Sequence, residues 1–267
     1  MKLFLNISFK GSAYKGYQVQ NNAPTVQQML NEASLRVFGF DCDIVGCSRT
    51  DSGVHANEFC ITVTQKGKGC IEHSIPIEKI PAAFNSVLPE DIAVNFAKTV
   101  DDDFHARYSV KYKEYVYKMW NGKSKNPFLH DTAYHIPFNV SKDSVLLMNE
   151  AAQKFVGKHD FTSFMAQGSK ITDAVRTVFY SSVSIDKNNE NLILFTVAAD
   201  GFLYNMVRIM AGTLIDVARG NISPLKIDSI IESKERRCAG ATAPAHGLFL
   251  NKVSYSEYKG ENYEHFN

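Results

Sequence analysis

The feature that most restricts the fold is an order of hydrophobic periodicities that the chain runs through twice. Residues Lys2–Phe9 alternate, with Leu3, Leu5, Ile7 and Phe9 on one face, the period of a half-buried strand. Thr25–Phe38 follows at helical spacing, through Val26, Met29, Leu30, Ala33 and Val37. Pro24 precedes it, and Thr25 with Gln28 has the spacing of a capping box. Cys42–Ser48 and Phe59–Thr64 read as strands, Pro76–Leu88 as a weaker helix interrupted at Pro81, and Ile92, Val94 and Phe96 mark another strand. The order is β-α-β-β-α-β, the split βαβ or ferredoxin-like plan.

The second half repeats that order without repeating the sequence. Tyr112–Trp120 suits a strand, and Ser141–Phe155 a capped helix striped by Val145, Met148, Ala152 and Phe155. Val175–Ile185 and Leu192–Ala199 are strands joined by the polar turn Asp186–Asn191. Tyr204–Arg219 is a long helix ended by Gly220, Ser223 and Pro224 open one more, and Gly247–Val253 is a final strand. The expected fold is therefore α+β: two ferredoxin-like halves, residues 1–104 and 105–267, with adjoining antiparallel sheets and a groove suited to a site.

Composition narrows the function. Lys and Arg number 29 against 28 Asp and Glu, so the chain has no bulk field that would attract nucleic acid, although a local basic cleft remains open to it. No apolar run reaches the roughly 18 residues that span a bilayer. The apolar N-terminus Met1–Phe9 lacks a basic region and a cleavage site, so a cytoplasmic protein is expected. The five cysteines form no C-x-x-C pair, and the eight histidines form neither H-x-x-x-H nor H-E-x-x-H. No metal is expected.

Four segments carry candidate chemistry. Gly46–Ala56 places Arg49, Asp51 and His55 within seven residues, beside a Gly53 suited to a tight bend. The ordinary reading is a turn capped by Asp51 and paired with Arg49. The catalytic reading is an aspartate held ionised by an arginine and able to attack an electrophilic carbon. A glycosidase would need a second carboxyl group, and Glu58 is only near in sequence. The stretch Phe104–Lys118 interleaves aromatic residues with Arg107, Lys111 and Lys113; it could stack a base and hold phosphates, or simply be a sheet edge. Gly201–Gly212 sets Arg208 in an apolar helix start, where a cation wants an anion; Asp51, Asp216 and Asp200 are candidates. Phe9–Gln20 offers Lys10, Lys15, Gln18 and two glycines in a loop that could contact phosphate.

Taken in order, Lys10–Gln20, Arg49–Ala56, Phe104–Arg107, Lys113–Tyr117, His159–Phe164, Phe202–Arg208 and Ala243–Leu250 resemble the tRNA pseudouridine synthase A family over nearly the whole chain. The Arg-Thr-Asp-x-Gly-Val-His-Ala stretch is the most specific part. The resemblance implies an enzyme that isomerises uridine to pseudouridine in the anticodon stem-loop, at tRNA positions 38 to 40. It implies two ferredoxin-like halves around a central RNA-binding cleft, a homodimer, and no cofactor. By the same resemblance Asp51 is the nucleophile, Arg49 fills the space left by the flipped nucleotide, Tyr115 lies against the base, and Arg208 pairs with Asp51.

Four positions depart from the family pattern: Cys47-Ser48 where Ala-Gly is frequent, Tyr17 where Trp is common, and Met165 where Arg is often found, for which Lys170 is a nearby substitute. Lys10, Lys15, Arg107, Lys111, Lys113, Lys123 and Lys125 are the cations expected to meet RNA, so affinity for tRNA should fall with salt. Two rival readings are a non-catalytic RNA-binding protein, which would not need Asp51, and a hydrolase of small glycosides or nucleosides.

Overall fold

The computed structural model describes residues 1–168 and 171–259. These residues form two compact units, Met1–Val110 with Phe249–Val253, and Lys111–Leu248 with the segment that begins at Ser254. Both are mixed α+β with mostly antiparallel sheets.

The first unit runs β1 (Lys2–Phe9), α1 (Val26–Phe38), β2 (Cys42–Gly46), β3 (His55–Gln65), α2 (Ile80–Asn85) and β4 (Ile92–Val100). Its sheet has the order β4-β1-β3-β2, each pair antiparallel. The register sets Leu3 opposite Val63, Leu5 opposite Ile61 and Ile7 opposite Phe59, and all six side chains are fully buried. Such directly opposed apolar pairs are the stabilising unit of a sheet.

The expectation of a half-buried β1 is corrected, because both of its faces are covered. Phe4 is also buried, against Phe96 and the edge of Phe104, with the Lys98 ammonium 4.9 Å from its ring centre. On β4 the inward set breaks after Val94. The pairing passes from Ile7–Val94 to Asn6–Phe96, so Asn95 is an extra residue and Phe96 is left 46% exposed. A bulge of this kind turns the following side chains to the other face. Asn95 is held by its own amide, which donates to Asn6 Oδ1 at 2.9 Å.

Local signals explain the helices. Thr25 caps α1 by accepting the Gln28 N–H at 3.3 Å, worth about 1 kcal/mol. The Gln28 side-chain N–H donates to Glu32 Oε1 at 3.0 Å, one turn further along the helix. Pro81 does not interrupt its helix but sits in the first turn of α2, where its missing N–H costs no bond. The short turn Ile77–Lys79 precedes it as a 3-10 helix.

The second unit runs β5 (Tyr112–Trp120), β6 (Tyr134–His135), α3 (Lys142–Gln153), β7 (Gly157–Asp160), β8 (Val175–Asp186), β9 (Asn189–Ala199), α4 (Met206–Ala218) and α5 (Ile227–Ser233). The order β5-β9-β8-β7 is antiparallel throughout, and β6 lies parallel to β5. Neither β6 nor β7 is visible in the sequence, being two and four residues long with no alternation to detect. Ser141 caps α3 by accepting the Ser144 N–H at 3.1 Å. Almost every residue of α4 is buried, as expected of a helix that is apolar all round. Gly212 of α4 lies against the Ala241 carbonyl, where a Cβ would overlap the oxygen. The last strand, β10 (Leu248–Ser254), pairs parallel with β3, Phe249 beside His55 and Leu250 beside Ala56.

Candidate active site

The Arg49–Asp51 segment lies in the loop between β2 and β3. Two devices fix its course. At its entrance, the Cys47 N–H donates to Cys60 O at 2.8 Å, extending the β2–β3 ladder by one rung. At its exit, the Val54 N–H returns to Asp51 O at 3.1 Å, closing a tight turn in which Gly53 takes φ +79°. That left-handed backbone suits glycine. The three key side chains of the loop sit at different depths: Arg49 is exposed, Thr50 buried and Asp51 half-buried.

A second loop, residues 11–17, cradles the first. Tyr14 O accepts from the Gly53 N–H and from Ser52 Oγ, both at 3.3 Å. The Tyr17 N–H donates to Thr50 O at 3.2 Å. Tyr14 is itself anchored by its hydroxyl, which donates to Asp91 Oδ1. Tyr17 stacks on Phe59 at 4.4 Å, its hydroxyl fully buried, and burial pushes that phenol far above its ordinary range. Gly16 takes φ +92°, and a Cβ there would stand 2.7 Å from Thr50 O. Gly16→Ala is therefore expected to destabilise the protein by about 1–3 kcal/mol. It should also lower turnover by displacing the Thr50–Asp51 backbone; urea unfolding and rate measurements on one preparation check both.

His55 serves this scaffold. It is fully buried, its Nδ1 accepts the Gly11 N–H at 3.0 Å, and its ring stacks on Phe249 at 4.5 Å. Its place in the motif is thus explained by packing. His105 plays a similar part in Phe104–Arg107. Its Nδ1 accepts the N–H groups of Arg107 and Tyr108, both at 3.1 Å, and Lys2 Nζ donates to Phe104 O at 3.0 Å. Desolvation, followed by the charges of Lys2 and Arg107, holds the His105 imidazole below its ordinary pKa. Of the expected RNA-binding residues in this unit, Lys10, Lys15 and Gln18 are exposed and Arg107 is half-buried.

In the second unit, Tyr115 and Tyr117 share one face of β5 with Lys113. Tyr117 is core, its hydroxyl donating to Pro244 O at 2.8 Å. Tyr115 retains 7% exposure, with its ring edge-on to Phe202 at 5.0 Å. The tyrosines of the expected Tyr–Lys alternation are all buried, so the strand does not present a row of platforms. Lys113 is half-buried. Arg208 lies in the first turn of α4, also half-buried. Its Nε donates to Ala243 O at 2.8 Å and its Nη1 to Asn205 Oδ1 at 2.7 Å. Met165 closes a 3-10 turn at Thr162–Phe164, and Lys170 lies outside the described residues.

The chain matches the tRNA pseudouridine synthase family over residues 6–109 and 151–256. It belongs to that family. Similar proteins named tRNA pseudouridine synthase A include one from Thermoanaerobacter sp. (strain X514), 43% identical over 251 residues, 93% of this chain and 97% of the relative. Another is from Bacillus pumilus, 41% identical over 262 residues, 96% and 99% of the two chains. A third, from Caldicellulosiruptor saccharolyticus, is 40% identical over 253 residues, covering 95% and 99%.

As a tRNA pseudouridine synthase, the chain is an isomerase that converts uridine in tRNA to pseudouridine. The matched residues contain the Arg49–Asp51 loop, the loop 11–17 that cradles it, and Arg208, while Lys113 and Tyr115 fall between the two matched stretches. Among the described residues, no cluster of three or more His, Cys, Asp or Glu could hold a metal, and no helix is long and apolar enough to cross a membrane. The sequence alone does not single out Tyr14, Gly16 or Asn205 as residues that support the candidate site. Gly16 could have been suspected from the Gly-x-x-x-x-Gly spacing; the roles of the other two depend on contacts over long sequence separations or on one side chain's direction.

Proposed function

We propose that the target uridine lies in the anticodon stem-loop of tRNA, at positions 38 to 40, and that Asp51 is the catalytic nucleophile. The observation that carries this reading is the double-cradled loop, which holds a half-buried Asp51 two residues from an exposed Arg49. A stacked uracil is out of reach, so the nucleotide must leave the stack at a cost of about a few kcal/mol. Arg49, projecting from the same loop, offsets that cost by filling the gap. Tyr115 lies against the extruded base, and Arg208 is a further catalytic residue.

The reaction balances within the nucleotide and water. The N1–C1′ bond breaks, the uracil turns while held, C5 bonds to C1′, the C5 proton leaves to solvent and N1 gains one. Asp51 assists by covalent attack or by stabilising the detached sugar. Lys10, Lys15, Gln18, Arg107 and Lys113 contact the RNA, chiefly its phosphates, so affinity falls as salt rises. The strand order β4-β1-β3-β2 supports reading the first unit as ferredoxin-like, and the second unit is read on the same plan. The enzyme works in the cytoplasm as a homodimer.

The test is to incubate unmodified tRNA transcripts with the protein and map pseudouridine by chemical modification and primer extension. Stops confined to positions 38 to 40 are the expected result. Pseudouridine elsewhere, with none in the anticodon arm, would overturn the substrate assignment.

A further inference from the structure

Asp91 stands at the head of β4, outside every segment that the motifs single out. Its backbone and its side chain both hold the loop of residues 11–17. Asp91 O accepts the Lys10 N–H at 2.8 Å, one step beyond the Phe9–Ile92 pair that ends the β1–β4 ladder. Asp91 Oδ1 accepts the Tyr14 hydroxyl. The chain at Asp91 is held in turn, since the Ile92 N–H donates to Pro89 O at 3.0 Å. The direction of the Tyr14 bond follows from the groups themselves, because an ionised carboxylate only accepts. Burial, followed by this bond, raises the Tyr14 phenol far above its ordinary range, so it stays a donor at neutral pH.

The other end of Tyr14 meets the chain just past Asp51. Its carbonyl accepts from Ser52 Oγ and from the Gly53 N–H, both at 3.3 Å. Tyr14 is therefore a strut within the first unit, with its hydroxyl seated on Asp91 and its carbonyl on the Ser52–Gly53 turn. Its side chain is 6% exposed, so the ring has no room to swing into solvent. A hydrogen bond to a carboxylate is about twice as strong as one between neutral groups. Without that acceptor the buried hydroxyl would lose its partner, a loss larger than the net worth of the bond. The ring would then have to move, and its carbonyl with it.

We propose that Asp91 is a positioning residue for the isomerisation, setting the course of the Ser52–Gly53 turn, and with it the Asp51 backbone, through the hydroxyl of Tyr14. The proposal rests on the reading of Asp51 as the nucleophile. It gives a charged residue far from the motif a part in the reaction without contact with the substrate. A reacting group must be held closely, and a displacement of about 1 Å costs about a hundredfold in rate. Binding of tRNA is spread over many phosphate contacts and is insensitive to so small a shift. The effect of Asp91 therefore falls on kcat and not on KM.

Four full-length variants test it with tRNA tritiated at uracil C5: Asp91→Ala, Asp91→Asn, Tyr14→Phe, and Tyr14→Phe combined with Asp91→Ala. Rates are expressed per folded protein, from melting curves on the same preparations. Tyr14→Phe keeps the buried ring and the carbonyl, so it folds even if Asp91→Ala does not. The expected result is a fall in kcat of about tenfold or more for Asp91→Ala and for Tyr14→Phe, with KM for tRNA within about twofold of wild type. Asp91→Asn keeps an acceptor oxygen and should stay within about threefold of the wild-type kcat. The double variant should be no slower than the slower single one, because all three lose the same bond. A merely structural role predicts lower melting temperatures with a wild-type kcat in the folded fraction. That result, a loss confined to KM, or losses that multiply in the double variant would overturn the proposal. Asp51→Asn is measured alongside. If it turns over at the wild-type rate, the underlying reading of Asp51 fails; if it is inactive while Asp91→Ala and Tyr14→Phe turn over normally, only the role of Asp91 fails.

Discussion

Asp51→Asn is expected to reduce turnover by at least about a thousandfold, some 4 kcal/mol of transition-state stabilisation, while affinity for tRNA stays within about twofold. The substitution is nearly isosteric. It keeps Asp51 O as the acceptor for the Val54 N–H, and it leaves the Tyr14 and Tyr17 contacts to Gly53, Ser52 and Thr50 untouched. What it removes is the anion. An amide is a poor nucleophile and a poor stabiliser of positive charge on a detached sugar, so the chemical step should fail where binding does not. Filter binding and single-turnover rates on the same preparation separate the two. A parallel loss of affinity and rate would mean that Asp51 holds RNA or the loop, and not the reaction.

Phe59→Ala is expected to cost about 3–5 kcal/mol of stability, the usual range for deleting a buried phenylalanine. Phe59 is fully buried in β3, opposite Ile7, with Phe9 at 5.5 Å and Tyr17 at 4.4 Å. Its loss would leave a void on the side of Tyr17 that the rigid sheet cannot close. Because the Tyr17 N–H holds Thr50 O, the damage should reach the Arg49–Asp51 loop, and the folded fraction of the variant should also be slower than wild type. Chemical denaturation and rates corrected for the folded fraction measure the two effects. Phe59→Leu, which refills most of the volume, should recover most of both.

The sequence reveals the elements whose periods are long and regular. Leu3, Leu5 and Ile7 announce β1, Val26 to Val37 announce α1, and Gly220 marks the end of α4, with φ +79°. It misses what depends on contacts across the chain. Nothing local says that Phe4 is covered by Phe96 and Phe104, or that Asn95 bulges and turns Phe96 outward. The two-residue β6 has no period at all. The site divides in the same way. Arg49, Asp51 and Arg208 stand out because charged groups in tight or apolar settings are rare enough to notice. The residues that hold them do not: Tyr14 acts through its carbonyl, Gly16 through an absent Cβ, and Asn205 through a side chain turned away from its expected cap. His55 is conspicuous in the motif for another reason: its buried ring supports the loop.

The most direct test of the central claim follows the fate of the uracil. A tRNA transcript carries tritium at C5 and carbon-14 in the uracil ring, and both labels are counted in the water, in free base and in the RNA. Isomerisation predicts that tritium passes to water, one equivalent per uridine converted, while all of the carbon-14 stays in the RNA. Carbon-14 released as free uracil would make the protein a hydrolase, and retention of both labels under conditions where tRNA is bound would contradict catalysis altogether.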